Sequence, residues 1–273
     1  MRDGHGDVSD LRDTVGASIG SAALNSRSGL LARARGLSRE MGWGATIAHV
    51  LDRTLSAASG GRVRLRVYRL YSMPVPARPL LPVSNASPWQ IREIGPGDPL
   101  CDRLVRAPSV IEARYAQGSR CIVAMREGDV LGFVWLHVGS YQEDEVDCEF
   151  VPTPEGRSCW DFDVFVHPTH RVGRLFVRLW DHAFQVMRDS GLRASASRIA
   201  IDNPGSMRAH ASMGARPTAW AMFLRAGGAQ ITVASVFPWF RPSVGAWGRP
   251  TIAVPEVPPA PIGAGQAGRE DPQ

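Results

Sequence analysis

Two short stretches of this 273-residue chain combine residue types suited to holding an anion and moving a proton. The first is Pro168-Thr-His-Arg-Val-Gly-Arg-Leu-Phe176, which follows an alternating apolar segment and leads into a helical pattern. A strand that delivers the chain to a helix N-terminus leaves backbone N–H groups free at the positive end of the helix dipole, a setting for an anion. Arg171, Arg174 and Arg178 fall in that entry loop and the first turns. Exposed cations there oppose the dipole by roughly 0.3–1 kcal/mol each, and a bound phosphate reverses the sign. Chance placement in an arginine-rich chain gives the same pattern. The second stretch is Asn203-Pro-Gly-Ser206-Met-Arg-Ala-His210-Ala-Ser-Met-Gly214-Ala215, a short helix with proline in its first turn and glycine as its stop. Asp161 and Asp163 lie on the strand before the first stretch, where alternation puts both on one face.

Other chemistries lack their residues. All 31 basic side chains are arginine, an ordinary outcome of coding bias. Schiff-base chemistry and the phosphate-loop lysine of NTPases are therefore excluded. The net charge of +5 favours anionic ligands, but no basic run interleaves with aromatics, so no nucleic-acid partner is expected. Cys101, Cys121, Cys148 and Cys159 form no CxxC pair and no zinc spacing with histidine, so neither a disulfide framework nor a metal is expected. No serine or cysteine stands in a nucleophile-elbow context, which disfavours a covalent intermediate. The first ten residues are polar, and no apolar run approaches the roughly 18 residues of a membrane span. The expectation is a cytoplasmic protein without stable membrane insertion.

The elements that must position these residues are legible from periodicity and turn chemistry. Residues 1–36 read as a disordered segment rich in Gly, Ser, Asp and Arg. Residues 37–84 read as a helix, an edge strand and a proline-rich connector. Ser38 caps the helix, whose apolar stripe of Met41, Ile47, Val50, Leu51 and Leu55 is suited to docking on the folded domain or, with Arg39 and Arg53, to touching a membrane surface. Arg62–Met73 alternates arginine and apolar residues, the pattern of a half-exposed edge strand. Residues 85–240 form the main domain. Strand Trp89–Ile94 precedes short helices in Pro99–Gln117, and a hairpin of Cys121–Met125 and Val130–Val138 turns at Glu127-Gly128. Strand Trp160–Val166, helix Val172–Ser190, strand Leu192–Ile201, helix Pro204–Met213 and strands Arg216–Arg225 and Gln230–Val236 follow. Residues 241–273 read as a disordered Pro/Gly/Ala tail. The acidic set Glu143, Asp144, Glu145, Asp147 and Glu149 suits either a solvated face or attraction of a cationic amine.

The order strand, Arg171–Phe176 loop, helix, strand, Asn203-x-x-Ser206, short helix and Gly214-Ala215 resembles the core of the GNAT superfamily over roughly 150 residues. The resemblance implies an α/β (α+β) fold, with a mixed, mostly antiparallel sheet, a central splayed parallel pair and flanking helices. It implies transfer of an acetyl or other acyl group from acyl-CoA, as cosubstrate, to an amine or hydroxyl of a small-molecule acceptor by direct attack. No metal is implied, and a homodimer is left open. The backbone of Asp163, Val164, Phe165 and Val166 would pair with the pantetheine arm. The amides of Arg171, Val172, Gly173, Arg174, Leu175 and Phe176 would cradle the pyrophosphate. Asn203, with Ser206, would lie beside the pantetheine. His210 would take the family's tyrosine position near the thioester sulfur, where imidazole can protonate a departing thiolate; simple packing of His210 is the alternative. Asp161 or Asp163 would serve as general base if a bulge turns them inward, and otherwise as structural carboxylates. The chain departs from the family pattern at Arg174 and Phe176, where small residues are usual. A catalytically degenerate domain that binds CoA or a protein partner is therefore the alternative reading.

Overall fold

The computed structural model describes residues 42–82, 88–171 and 173–257. In chain order these form α1 (Trp43–Ala58), β1 (Val63–Pro74), β2 (Gln90–Ile94), a 3-10 turn (Pro99–Arg103), α2 (Pro108–Ala116), β3 (Arg120–Arg126) and β4 (Asp129–Val138). They continue as β5 (Tyr141–Gln142), β6 (Glu149–Pro152), β7 (Ser158–Val166), a 3-10 turn (Pro168–His170), α3 (Leu175–Asp189), β8 (Ala194–Ala200) and α4 (Pro204–Ser212). The last four strands are β9 (Arg216–Ala226), β10 (Ala229–Ala234), β11 (Phe240–Val244) and β12 (Thr251–Val254). Nine strands build one sheet in the order β11-β10-β9-β1-β8-β7-β4-β3-β2, while β12, β6 and β5 form a small second sheet. Among the described residues only β7 and β8 run parallel within the large sheet, giving the mixed, mostly antiparallel architecture with a parallel pair that the resemblance implied.

Strand β1 corrects the expectation of an exposed edge, because it lies between β8 and β9 in the interior of the sheet. Its arginines are tolerated there because acids meet them. Arg64 and Arg66 reach Asp52 of α1 at 3.2 and 3.0 Å, and Arg66 also reaches Glu145 at 3.0 Å. Farther along the same face, Tyr68 and Leu70 enter the core. Alternation alone distinguishes one face from the other, not edge from centre. A division of the chain at residue 85 therefore cuts through one continuous sheet.

Helix α1 also differs from expectation. It buries Ala45 and Thr46 and turns Ile47, Val50 and Leu51 of the predicted docking stripe outward, at 56%, 47% and 47% exposure. Polar contacts hold it instead: Asp52 accepts from the Leu65 amide as well as from the β1 arginines, and His49 pairs with Asp202 at 2.9 Å. Ser38 and Met41, like residues 1–36, lie outside the described residues. At the other end, the expected disordered tail contains two strands. β11 extends the large sheet and β12 pairs with β6; residues 258–273 lie outside the described part.

The two sheet faces carry separate cores. On one, Leu175, Leu179, Trp180, Ala183, Phe184 and Met187 of α3 pack against Ile122, Ala124, Val134 and Leu136 of β3 and β4. On the other, an aromatic core of Tyr68, Phe133, Trp135, Phe150, Trp160 and Phe223 packs beneath the β5–β6 excursion. Each such fully buried side chain stabilises the fold by roughly 1.5–3 kcal/mol before entropy is counted. The β3–β4 hairpin turns at Glu127 and Gly128, both at positive φ (54° and 88°), the geometry that matches strand twist.

Candidate active site

Strands β7 and β8 separate in the middle of the sheet. Their parallel ladder comprises Ser158↔Ala194, Cys159↔Ser195 and Trp160↔Ala196 and then stops. Beyond it β8 continues along β1, while β7 continues along β4. The His167 amide donates to Leu131 of β4 at 2.8 Å. The alternation of a strand therefore turns the backbone groups of Val164 and Val166 toward the gap. At its outer end Arg171 donates from Nε to the Val166 carbonyl at 3.1 Å.

A bulge in β7 decides where the two aspartates go. Trp135 pairs with Phe162 and Phe133 with Phe165, so Asp163 and Val164 together oppose Val134. Asp163 takes φ 49°, a conformation aspartate tolerates better than most residues. The extra residue reverses the alternation. The expectation that both aspartates share one face is therefore corrected. Asp161 points to the α3 side, where it accepts a short hydrogen bond from Ser195 and lies 3.8 Å from His210 Nε2. Asp163 points to the opposite side, where Arg106 and Arg114 take both of its oxygens. Arg114 reaches on to Asp144 at 3.2 Å.

His210 is fixed from both ends. Asn203 caps α4, its side-chain oxygen accepting from the Ser206 amide at 3.1 Å. His210 Nδ1 lies 2.8 Å from the Ser206 carbonyl and so carries the proton there, with Ser206 Oγ at 3.4 Å. This leaves Nε2 facing Asp161. Trp180 and Phe176 present ring edges to the imidazole at 5.6 and 6.2 Å, and His210 is only 3% exposed. Burial works against the charged imidazole, but the Asp161 carboxylate and the Ser206 carbonyl outweigh it and hold the pKa above its ordinary value.

The loop between β7 and α3 supplies a helix N-terminus with no side-chain cap and no acid in its first turn. Arg174 stands at the N-cap and is exposed; Leu175 is buried in the core; Gly173 is exposed at a φ that any residue can adopt. Val172 lies outside the described residues. Arg178 donates to the Pro82 carbonyl at 2.7 Å, so with Arg171 also engaged, only Arg174 of the three arginines makes no side-chain bond among the described residues. Helix α3 starts at Leu175, later than periodicity suggested, because Pro168–His170 forms a separate 3-10 turn.

On the opposite face the acidic stretch is paired and partly buried, which corrects the solvated-face reading. Glu143, 5% exposed, binds Arg198 of β8 at 2.5 Å; Glu145 binds Arg198, Arg66 and the Tyr68 hydroxyl; Asp147 binds Arg249. Burial opposes the Arg198 charge, but Glu143 outweighs it and keeps the guanidinium firmly protonated. The thiols of Cys121, Cys148 and Cys159 are buried, which pushes all three up, Cys159 to about 12, and withholds them as nucleophiles. A cavity of about 500 Å³ lined by Pro96, Pro99, Ile111 and Tyr115 lies apart from the strand gap.

The structure brings His210, Asp161, Asn203 and Ser206 into one neighbourhood and adds four residues that the sequence did not single out, Ser195, Arg106, Arg114 and Arg198. Ser195 had a signal, since Ser195 and Ser197 alternate on one face of a buried strand. Arg106 and Arg114 had none, because their partner's direction depends on the bulge. The Glu143–Arg198 pair joins residues 55 positions apart and left no local trace.

No curated protein matches the chain significantly. Among solved structures, a tandem GNAT protein from the clavulanic acid biosynthesis pathway is 18% identical, with TM-score 0.41, over 64% of this chain and 58% of that one. A GNAT-family protein from Novosphingobium aromaticivorans is 16% identical, with TM-score 0.40, over 59% of this chain and 65% of that one. The chain thus spans less than two thirds of either protein. The yncA protein of Salmonella typhimurium, solved with acetyl-CoA, is 20% identical, with TM-score 0.34, over 47% of this chain and 79% of that one. Residues 88–215, which contain the strand gap, the loop before α3 and the capped His210 helix, match the acetyltransferase (GNAT) family model, which identifies this part of the chain as a GNAT-type domain.

Proposed function

We propose that the protein transfers an acetyl or other acyl group from acyl-CoA to an amine or hydroxyl of a small-molecule acceptor by direct attack. The observation that carries this reading is the break in the β7–β8 ladder with the Asp161–His210 pair beside it. The backbone of Val164 and Val166 offers the pantetheine arm the pairing that β8 withdraws. The amides from Arg171 to Phe176, at an uncapped helix N-terminus, suit the pyrophosphate, with Arg174 adding charge. A neutral acceptor attacks the thioester carbonyl, the tetrahedral oxyanion collapses, and the C–S bond breaks. His210 Nε2 then delivers its proton to the thiolate sulfur. Asp161, steadied by Ser195, keeps that imidazole protonated. Asp163, with both oxygens engaged, anchors the bulge, and the acceptor proton leaves to water.

The burial of His210 beneath Phe176 favours a second reading, a domain that binds CoA without turnover. Calorimetric titration with acetyl-CoA, followed by an acceptor screen on the wild type and His210→Ala, separates the two. Binding with turnover that His210→Ala abolishes supports the transferase; binding without turnover supports the module; no binding to any acyl-CoA refutes both.

A further inference from the structure

Another cavity, of about 450 Å³, opens at the end of the large sheet, where β4 begins and β7 gives way to its 3-10 turn. Asp129, Val130 and Leu131 line it from β4, His167, Thr169 and His170 from the turn, and Arg103 from the first 3-10 turn. Its two main walls are tied together by the bond from the His167 amide to the Leu131 carbonyl. Val130 packs on the aromatic core and Leu131 on the α3 core, and both are only half-buried, which gives the cavity an apolar floor.

The polar groups around that floor keep capacity for a ligand. His167 Nδ1 meets Thr169 Oγ1 at 2.7 Å, which leaves Nε2 without a partner among the described residues. The His170 ring lies 6.3 Å away, tilted by 58°, and makes no hydrogen bond among the described residues. Arg103 places one nitrogen on Asp129 at 3.0 Å, with side chains 57% and 77% exposed. Water screens such a pair, so the guanidinium can still take a phosphate.

Position selects what enters. Asp161, beside His210, and His167 are six residues apart in the chain, about 20 Å at the rise of an extended strand. An acceptor held in this cavity therefore cannot reach a thioester beside His210. An arm laid along β7 from that thioester instead ends here, since His170 leads directly into Arg171, where the amides suited to the pyrophosphate begin. The group beyond the pyrophosphate is the nucleoside. Two imidazoles at an angle over an apolar floor offer a planar base both a face and an edge. Asp129 repels a bare inorganic anion but accepts from an exocyclic amine.

Resting on the acyl-CoA reading above, we propose that this cavity holds the adenosine end of the cosubstrate. The base lies against His167 and His170 with its amine at Asp129, and the ribose 3′-phosphate meets Arg103. The test is calorimetric titration of the full chain with acetyl-CoA, acetyl-dephospho-CoA and S-acetyl-4′-phosphopantetheine. Acetyl-CoA should bind about tenfold or more tighter than the phosphopantetheine ester, the scale of one stacked base. His167→Ala/His170→Ala should remove most of that advantage and leave the ester's affinity unchanged. Arg103→Gln should weaken acetyl-CoA by about threefold or more and spare acetyl-dephospho-CoA. Near-ultraviolet circular dichroism checks that both variants remain folded. A loop merely disturbed by substitution weakens every ligand alike, so the ratio between ligands isolates recognition of the nucleoside. Equal affinity for acetyl-CoA and the ester, or variants that lower all three ligands alike, overturns the proposal and leaves the acyl-CoA reading standing. Binding of none of the three refutes that reading and this proposal with it.

Discussion

Asp161 and Asp163 stand two residues apart on one strand, yet they belong to different neighbourhoods. Asp161 has a hydroxyl and an imidazole for partners, on the helix-covered side of the strand gap. Asp163 has two guanidiniums, on the side closed by α2. The first arrangement keeps a proton within reach of the gap; the second saturates its carboxylate and holds a strained residue in place. One extra backbone residue separates a carboxylate that faces an imidazole from one locked between two guanidiniums. A charged residue's neighbours, more than its type, set which task it can perform.

The comparison is sharpest under substitution. His210→Ala should lower kcat by about a hundredfold or more, the range for loss of a general acid, with acetyl-CoA affinity nearly unchanged; steady-state kinetics with calorimetry checks both. Asp163→Ala should act chiefly on stability. Its side chain and that of Arg114 are 9% and 6% exposed, so truncation leaves a buried guanidinium with Asp144 as its remaining acid, at a cost of about 3 kcal/mol in urea unfolding. Turnover at low temperature should fall much less than in His210→Ala, and the reverse ranking would break the distinction.

Asp161→Asn should change a pH dependence. The His210 pKa is raised in the folded state, so its contribution to stability is complete below the unfolded value of about 6.5 and is lost as pH rises through the folded value. The variant should lose that decline, and the alkaline limb of kcat should move to lower pH, with kcat itself down about tenfold near neutrality. Ser195→Ala is the smallest expected change, about 1 kcal/mol of stability for one hydrogen bond and a partial shift of the same limb.

Much of this arrangement was legible in the sequence, for identifiable reasons. The β3–β4 hairpin, β7, β8 and α4 follow from alternation, from Glu127-Gly128, and from Pro204 and Gly214 as start and stop; Gly214 indeed takes φ 95°. The interior placement of β1 was not legible, because Arg64 and Arg66 look solvent-facing until Asp52 and Glu145 arrive from other segments. The bulge entered only as an open possibility and its position was not legible, because no glycine marks it and Asp163 occupies the left-handed region itself. Strands β11 and β12 were hidden by proline and glycine, which sheet edges tolerate. Gly132 did have a hidden reason: a Cβ there would stand 2.9 Å from the Phe165 carbonyl, so β4 and β7 approach too closely for any side chain.

The central claim is that acyl-CoA occupies the gap between β7 and β8. Amide hydrogen exchange of the full chain, with and without saturating acetyl-CoA, tests it most directly. Protection at Val164 and Val166 and across Gly173–Phe176, with β9–β11 unchanged, is the predicted result. Binding of acetyl-CoA that leaves those amides exchanging as before would place the ligand elsewhere and contradict the account.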